Sequence, residues 1–145
     1  MRRHVLIPSI VVALTALPFG VQHVLATRPN DTEAVKATVT DYIEGYYSGD
    51  AARMERALHP DYLKHTITAA GSVSQWTGLK VLARARSGEG KHLPASDRTS
   101  QVAVLDVAQG IAVAKLVTPG WTDYLTLTKS SGAWKIISVT LQETR

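Results

Sequence analysis

Residues 121–128 read WTDYLTLT, and their alternation decides how the second half of the chain folds. In a strand, successive side chains point to opposite faces of the sheet. One face then carries Trp121, Asp123, Leu125 and Leu127, while the other carries a tyrosine and three threonines. The apolar row indicates a buried face. The carboxylate within that row is therefore a candidate functional group.

Two-residue turns are expected to connect this strand to the strand before it, and that strand to the one before it. Pairing through Pro119-Gly120 places Leu116 opposite Asp123, and pairing through Gln109-Gly110 continues the same face into a third strand. Small side chains on this face leave the space that a pocket needs. The predicted inner face consists of Ala103, Leu105, Val107, Ala112, Ala114, Leu116, Trp121, Asp123, Leu125 and Leu127. The predicted strands are SQVAVLDV (100–107), IAVAKLVT (111–118), WTDYLTLT (121–128) and WKIISVTL (134–141).

The region before these strands has helical periodicity instead. Val35, Val39, Tyr42 and Tyr46 recur at the spacing of one helical face, which predicts a helix over residues 32–48. A glycine directly follows this segment and is expected to end the helix.

Further elements follow in short succession. Asp50 is expected to cap a helix over 51–58, and the alternation in 62–68 predicts a strand. Ser74 is expected to cap a third helix, and 87–97 is expected to be a loop. The inward residues predicted for the third helix are Trp76, Leu79, Leu82 and Ala83. Helices followed by a run of antiparallel strands indicate an α+β domain.

Composition excludes several classes of function. The 145 residues include no cysteine, which excludes disulfides, thiolate metal sites and cysteine nucleophiles. Lysine plus arginine exceeds aspartate plus glutamate by 16 − 12 = 4, and two of these charges are Arg2 and Arg3. The remainder is too small to indicate nucleic-acid binding. The chain has no P-loop, GxSxG or dinucleotide fingerprint, and its histidines lack metal-ligand spacing. We expect no cofactor, no metal and no nucleic-acid partner.

The first residues have the layout of a secretory signal peptide. A short basic start precedes an apolar run with two prolines, and VLA at 24–26 suits a signal peptidase. We therefore expect a signal peptide over 1–26 and one domain over 27–145, exported to the periplasm or secreted. The alternative is an uncleaved segment that anchors the protein in a membrane.

Two stretches of the chain resemble a known superfamily. DYIEGYYSGDAARMERALHPDYLK (41–64) and DYLTLTKSSGAWKIISV (123–139) resemble NTF2-like (nuclear transport factor 2) proteins, which include ketosteroid isomerase and SnoaL-like polyketide cyclases. They are most similar to the bacterial "putative lumazine-binding" subfamily. The resemblance implies three N-terminal helices on a curved, mainly antiparallel sheet. It also implies a cavity in the mouth of this cone and a homodimer through the outer sheet face.

The resemblance to ketosteroid isomerase carries over only in part. Tyr42 corresponds to the tyrosine that stabilises an oxyanion, counted back from Gly49. The position of the general base falls near Thr66, which cannot act as a base. The proton abstraction of that enzyme is therefore not implied for this chain by the same arrangement.

Three hypotheses follow for function. The first is binding of a small, partly apolar molecule in the cone, and the second is a cofactor-independent isomerase, dehydratase or cyclase. In the second, Asp123 would be the acid or base, since burial raises the pKa of a carboxyl, and Tyr42 its partner. The third is a non-catalytic dimeric interaction module. The predicted ligand-contacting residues are Tyr42, Tyr46, Trp76, Ala114, Leu116, Trp121 and Asp123.

Overall fold

The computed structural model describes residues 29–144, in which three helices pack on one six-stranded sheet. The expected signal peptide, 1–26, lies outside the described residues. Among the described residues, no helix is long and apolar enough to cross a membrane. The helices are α1 (Pro29–Ser48), α2 (Ala51–Ala57) and α3 (Gly78–Arg86), with short 3₁₀ helices at Glu89–His92 and Ala95–Asp97. The strands are β1 (Leu58–Ile67), β2 (Val73–Thr77), β3 (Gln101–Ala108), β4 (Ile111–Val117), β5 (Trp121–Ser130) and β6 (Ala133–Glu143).

The turn between α1 and α2 forms as the sequence predicts. Gly49 follows α1 with a φ of +69°, a left-handed conformation that glycine adopts without steric cost. Asp50 then caps α2, because its side chain accepts a hydrogen bond from the backbone N–H of Arg53 at 2.9 Å. The two helices are thereby held as a pair against each other.

The sheet has the strand order β2-β1-β6-β5-β4-β3. Strands β1 and β6 run parallel, and all the other neighbours run antiparallel. The predicted register of the β4–β5 hairpin is confirmed, since Leu116 pairs with Asp123 and Ala112 pairs with Leu127. The α+β class with three helices on a mainly antiparallel sheet is likewise confirmed.

Strand β3 keeps the predicted register next to the turn that joins it to β4 and departs from it farther from that turn. Val107 pairs with Ala112 as expected, but Val104, and not Leu105, pairs with Ala114. A β-bulge between Val104 and Asp106 inserts one extra residue, and one extra residue turns every earlier side chain to the other face. The prediction that Ala103 and Leu105 face inward is therefore wrong, and both are exposed.

The third helix begins later than the sequence suggested. Residues Val73–Thr77 form the edge strand β2, and Thr77, not Ser74, precedes the first turn of α3. The shift rotates the helix, so that its buried residues are Val81, Leu82 and Ala85. The expectation that Leu79 and Ala83 face inward is wrong, and Leu79 is 80% exposed.

The core lies between α1 and the inner face of the sheet. Val35, Val39 and Ile43 of α1 are almost fully buried, as are Leu125 and Leu127 of β5. Each such side chain contributes about 1.5–3 kcal/mol on leaving water. Helix α1 contacts β3, β4 and β6, so it covers one half of the inner face. The other half, formed by β1, β2 and the adjoining ends of β5 and β6, is left for the candidate site.

Candidate functional site

A cavity of about 270 Å³ opens between the helices and the uncovered half of the sheet. Aromatic and aliphatic side chains form most of its wall, and a cluster of polar groups lies at its inner end. Its strand residues come from β1, β2, β5 and β6. The lining residues are Tyr42, Ile43, Tyr46, Met54, Lys64, Thr66, Trp76, Val81, Arg84, Glu89, Leu93, Trp121, Asp123, Leu141 and Glu143.

Asp123 lies at the inner end of this cavity and has no exposed surface. Its position follows from the register of the sheet, because it pairs with Leu116 on one side and Leu141 on the other. Both neighbours are apolar and buried. The backbone therefore fixes a carboxylate within a row that offers it no polar strand partner.

Lys64 supplies the counter-charge from two strands away. Alternation along β1 turns Tyr62, Lys64 and Thr66 inward, and β6 lies between β1 and β5. Strands two apart are separated by about 10 Å, so a long side chain is needed to cross the gap. The Nζ of Lys64 lies 3.3 Å from Oδ1 of Asp123. The residue as a whole is only 8% exposed, which makes this a buried ion pair.

Two tyrosines complete the polar cluster. Lys64 donates a hydrogen bond from Nζ to the hydroxyl of Tyr42 at 3.0 Å, and that hydroxyl lies 3.3 Å from the hydroxyl of Tyr62. Both tyrosines are buried. We call Tyr42, Tyr62, Lys64 and Asp123 the floor cluster. It is a continuous set of polar contacts running from β5 through β1 to α1.

The floor cluster leaves polar atoms without full hydrogen bonds. Neither carboxylate oxygen of Asp123 has a hydrogen bond of good geometry among the described residues, and the same holds for Nε1 of Trp121. The ammonium group of Lys64 lies 3.3 Å from the carboxylate, and it and the Trp121 indole both oppose the rise in the pKa of Asp123. Buried polar groups in proteins are almost always paired, and a water molecule or a ligand in the cavity can complete these contacts.

Burial dominates the proton affinity of these groups. Desolvation raises the pKa of the Asp123 carboxyl above its ordinary value, while the charge of Lys64 and the nearby Trp121 indole oppose that rise. Burial, together with the negative charge of Asp123, raises the pKa of the Tyr42 hydroxyl well above its usual range. Tyr42 therefore remains a neutral phenol that can donate or accept a hydrogen bond.

The outer wall of the cavity is built around Trp76. The Nζ of Lys80 and the guanidinium of Arg84 lie 4.2 and 4.3 Å from the centre of its ring, at distances typical of cation–π contacts. Arg84 also pairs with Glu89, and the Tyr46 hydroxyl lies 3.4 Å from the same carboxylate. The charged groups at the mouth are thus largely engaged with one another.

The segment after α3 is held against α1 by close backbone contact. A Cβ at Gly90 would lie 2.3 Å from the carbonyl oxygen of Tyr46, so no other residue fits there without a shift. This contact places Glu89 and Leu93 in the cavity wall. The loop that the sequence predicted therefore contains short 3₁₀ helices and forms one side of the site.

The residues predicted from the sequence fall into two groups. Tyr42, Tyr46, Trp76, Trp121 and Asp123 are brought together around the cavity. Two others, Ala114 and Leu116, are fully buried on β4 and are not part of its lining. The reason is that α1 packs on β4, which covers that half of the inner face.

Lys64 is the residue that sequence reasoning missed. A lysine inside a predicted strand is ordinarily assigned to the exposed face, because lysine is rarely fully buried. The signal was the alternation of Tyr62, Lys64 and Thr66, which places the lysine on the same face as a large aromatic residue.

No group of three or more metal-ligating side chains occurs within residues 29–144.

The chain matches one protein family in sequence and several solved structures in fold. Residues 30–141 match the model of the family described as "Putative lumazine-binding". A search of curated protein sequences finds no significant match. An NTF2-like protein of unknown function from Shewanella baltica superposes with a TM-score of 0.66 at 17% identity, covering 82% of this chain and 98% of that one. A second, from Silicibacter pomeroyi, gives a TM-score of 0.67 at 18% identity, covering 81% and 98%.

A further structural relative is described by its similarity to an enzyme. This ketosteroid isomerase-like protein from Erwinia carotovora atroseptica superposes with a TM-score of 0.54 at 10% identity, covering 81% of this chain and 99% of that one. At such identities the likeness shows a shared fold, and fold alone does not assign an activity.

Proposed function

Since this chain belongs to the "Putative lumazine-binding" family of the NTF2-like superfamily, we propose that it binds a small, partly apolar molecule in its cavity. The observation that carries this proposal is the combination of an open, largely apolar cavity of about 270 Å³ with a buried polar floor cluster at its inner end. Ligand sites are typically concave and mostly apolar, with a few polar groups that fix orientation.

The size and wall of the cavity support a ring-shaped ligand. Its volume is near the lower end of the roughly 300–1,000 Å³ typical of small-molecule pockets. Tyr46 and Trp121 meet edge to face with ring centres 6.2 Å apart, and Trp76 stands at the mouth. Aromatic side chains of this kind present large apolar faces at low entropic cost. A flat body of one or two rings fits both the volume and the wall.

A second candidate function is catalysis of an isomerisation, dehydration or cyclisation without a cofactor. The contacts that link Tyr42, Lys64 and Asp123 favour it, because such a cluster can move or share a proton. Asp123 would act directly only if a substrate could reach it, and its side chain has no exposed surface. Binding is therefore the function that the geometry supports better. An interaction module with a filled cone is supported least, because the cavity is open.

Export is a separate part of the proposal and is supported by the sequence alone. The basic and apolar start of the chain predicts cleavage near Ala26. Intact-mass measurement of the protein from its own host would show a mature chain beginning close to residue 27. A full-length chain recovered from the membrane fraction would instead support an uncleaved anchor.

Native mass spectrometry of the same preparation tests the binding proposal. We expect a species heavier than the polypeptide that loses one small molecule on denaturation. Trp76→Ala should lose this species, because it removes an aromatic wall of the cavity. Tyr124→Ala should retain it, because Tyr124 lies on the opposite face of β5 and is 49% exposed. A wild-type protein that retains nothing, and binds nothing from a diverse compound library, would refute the proposal.

A further inference from the structure

We propose that Lys64 binds an uncharged acceptor oxygen of the ligand, such as the carbonyl of a ketone, amide or lactam, and that the site rejects carboxylates. This inference rests on the proposed function and names the chemical class of ligand that the cavity takes. In it Lys64 contacts the ligand, while Asp123 and Tyr42 are positioning residues that hold the ammonium group in place.

The first argument is a count of donors. A lysine ammonium group has three N–H donors and no acceptor. Among the described residues, Lys64 has two polar partners, the Tyr42 hydroxyl at 3.0 Å and the Asp123 carboxylate at 3.3 Å. Its side chain lines the cavity and is 11% exposed. At least one donor is thus left for a ligand, and only an acceptor atom can satisfy it.

The second argument is that the charged side chains of the cavity lining disfavour an anionic ligand. The charged residues of the lining are two bases, Lys64 and Arg84, and three acids, Glu89, Asp123 and Glu143. Lys64 pairs with Asp123 and Arg84 pairs with Glu89, so each base is already neutralised. Glu143 forms no ion pair within residues 29–144. Both bases of the lining are therefore paired with acids, and Lys80 lies outside the lining against the Trp76 ring, although the chain as a whole is basic.

A carboxylate bound at Lys64 would also lie within a few ångströms of Asp123. Two like charges in a shared, poorly solvated site cannot both remain ionised without a large penalty. A carbonyl oxygen avoids this penalty, because it accepts a hydrogen bond without adding a charge. Hydrogen bonds from a charged donor are roughly twice as strong as those between neutral groups. The floor cluster thus favours a polarised but uncharged oxygen.

Three naphthalenes of matched size test the inference. 2-Acetylnaphthalene carries a carbonyl, 2-ethylnaphthalene lacks an acceptor, and 2-naphthoate carries a carboxylate. Equilibrium dialysis at neutral pH against the wild-type protein, cleared of any retained ligand, gives the three affinities. We expect the ketone to bind at least about tenfold more tightly than the hydrocarbon, since a hydrogen bond to a charged group contributes a factor of about ten to a hundred. The carboxylate should bind most weakly.

The outcomes separate this inference from the proposed function. Tightest binding of the naphthoate, or equal binding of the ketone and the hydrocarbon, would overturn the inference while leaving small-molecule binding intact. Binding of none of the three would also overturn it, and the proposed function would then be decided by the retained ligand in native mass spectrometry.

A double variant assigns the preference to Lys64. Lys64→Met together with Asp123→Leu removes the ammonium donor and its counter-charge at once, so no buried charge is left unpaired and no new N–H donor is introduced. The ratio of ketone to hydrocarbon affinity should fall to about one. The control Lys36→Met, at an exposed position of α1 outside the lining, should keep the wild-type ratio. An unchanged ratio in a folded double variant would refute the role of Lys64. If the double variant does not fold, the wild-type ranking still decides the inference.

Discussion

Replacing Lys64 by methionine alone should destabilise the protein strongly at neutral pH. The methionine keeps most of the apolar stem but leaves the fully buried Asp123 without its counter-charge. Removing one partner of a buried ion pair costs about 3–5 kcal/mol. Because the Lys64 side chain is 11% exposed, we expect the lower end, about 3 kcal/mol at pH 7. For a domain of this size that corresponds to a fall in Tm of about 10 °C.

The loss should depend on pH in a defined direction. Burial already raises the pKa of Asp123 above its ordinary 3.8, and Lys64 is the main group that opposes the rise. In the variant this pKa rises further. A carboxyl whose pKa is raised by folding costs nothing below its ordinary pKa, where it is protonated in both states, and the cost grows as pH rises from that value to the folded pKa, above which it is constant. The difference between wild type and variant should therefore be small near pH 4 and much larger at neutral pH.

Urea unfolding followed by circular dichroism at pH 4 and pH 7 measures both effects. The set comprises wild type, Lys64→Met, Asp123→Asn and the variant that combines these two substitutions, which together form a double-mutant cycle. Lys64→Met should cost less than about 1 kcal/mol in the Asp123→Asn background, because no ionised carboxylate remains there. Lys36→Met, at an exposed position of α1, is the control and should change stability by at most about 0.5 kcal/mol.

Two results would refute this reasoning. A loss below about 1 kcal/mol at pH 7 would mean that Asp123 does not need Lys64 to remain in the core. An equal loss at both pH values would mean that Lys64 contributes packing and not charge. Either result would remove the basis for treating the floor cluster as an electrostatic unit.

Two further predictions concern the cavity wall and the outer sheet face. Gly90→Ala should lower Tm and weaken ligand retention, because the new Cβ would meet the Tyr46 carbonyl oxygen at 2.3 Å, whereas Gly120→Ala, with nothing within 4 Å, should melt like the wild type. Equal melting of both variants would contradict the close contact. Ile111 and Tyr124 are 56% and 49% exposed on the outer sheet face, so we expect a homodimer there that Ile111→Lys with Tyr124→Lys converts to a monomer. Analytical ultracentrifugation measures this, and a wild type that sediments as a monomer would contradict it.

The β4–β5 hairpin shows how far sequence can predict a fold. Its register follows from one two-residue turn at Pro119-Gly120 and a strict alternation on both sides, and the structure reproduces the pairing of Leu116 with Asp123. Such a hairpin is determined by local features, since loop length and the position of the turn fix every pair that follows.

Strand β3 shows where the same method fails. The extra residue, Leu105, lies between Val104 and Asp106 in an alternating stretch, and nothing in this local sequence distinguishes a bulge from a regular strand. Similarly, Ser74 and Thr77 are both acceptable helix caps by residue type. The choice between them was decided by the pairing of β2 with β1, which places Thr77 opposite Leu63. In both cases the outcome depends on contacts with other elements of the fold. The sequence pattern of a single strand or helix does not contain that information.

The same distinction explains the candidate site. The sequence could identify Asp123 as a charge in a buried row because that row is local to one strand. It could not identify the partner, because Lys64 becomes its neighbour only through the parallel pairing of β1 with β6 and the antiparallel pairing of β6 with β5. This long-range arrangement also changes the role that we infer for Asp123. Alone in a cavity, Asp123 would be an acid or base facing the ligand. Behind Lys64, it fixes the orientation of a cationic donor and neutralises that donor's charge, so that the site can hold an oxygen without attracting an anion.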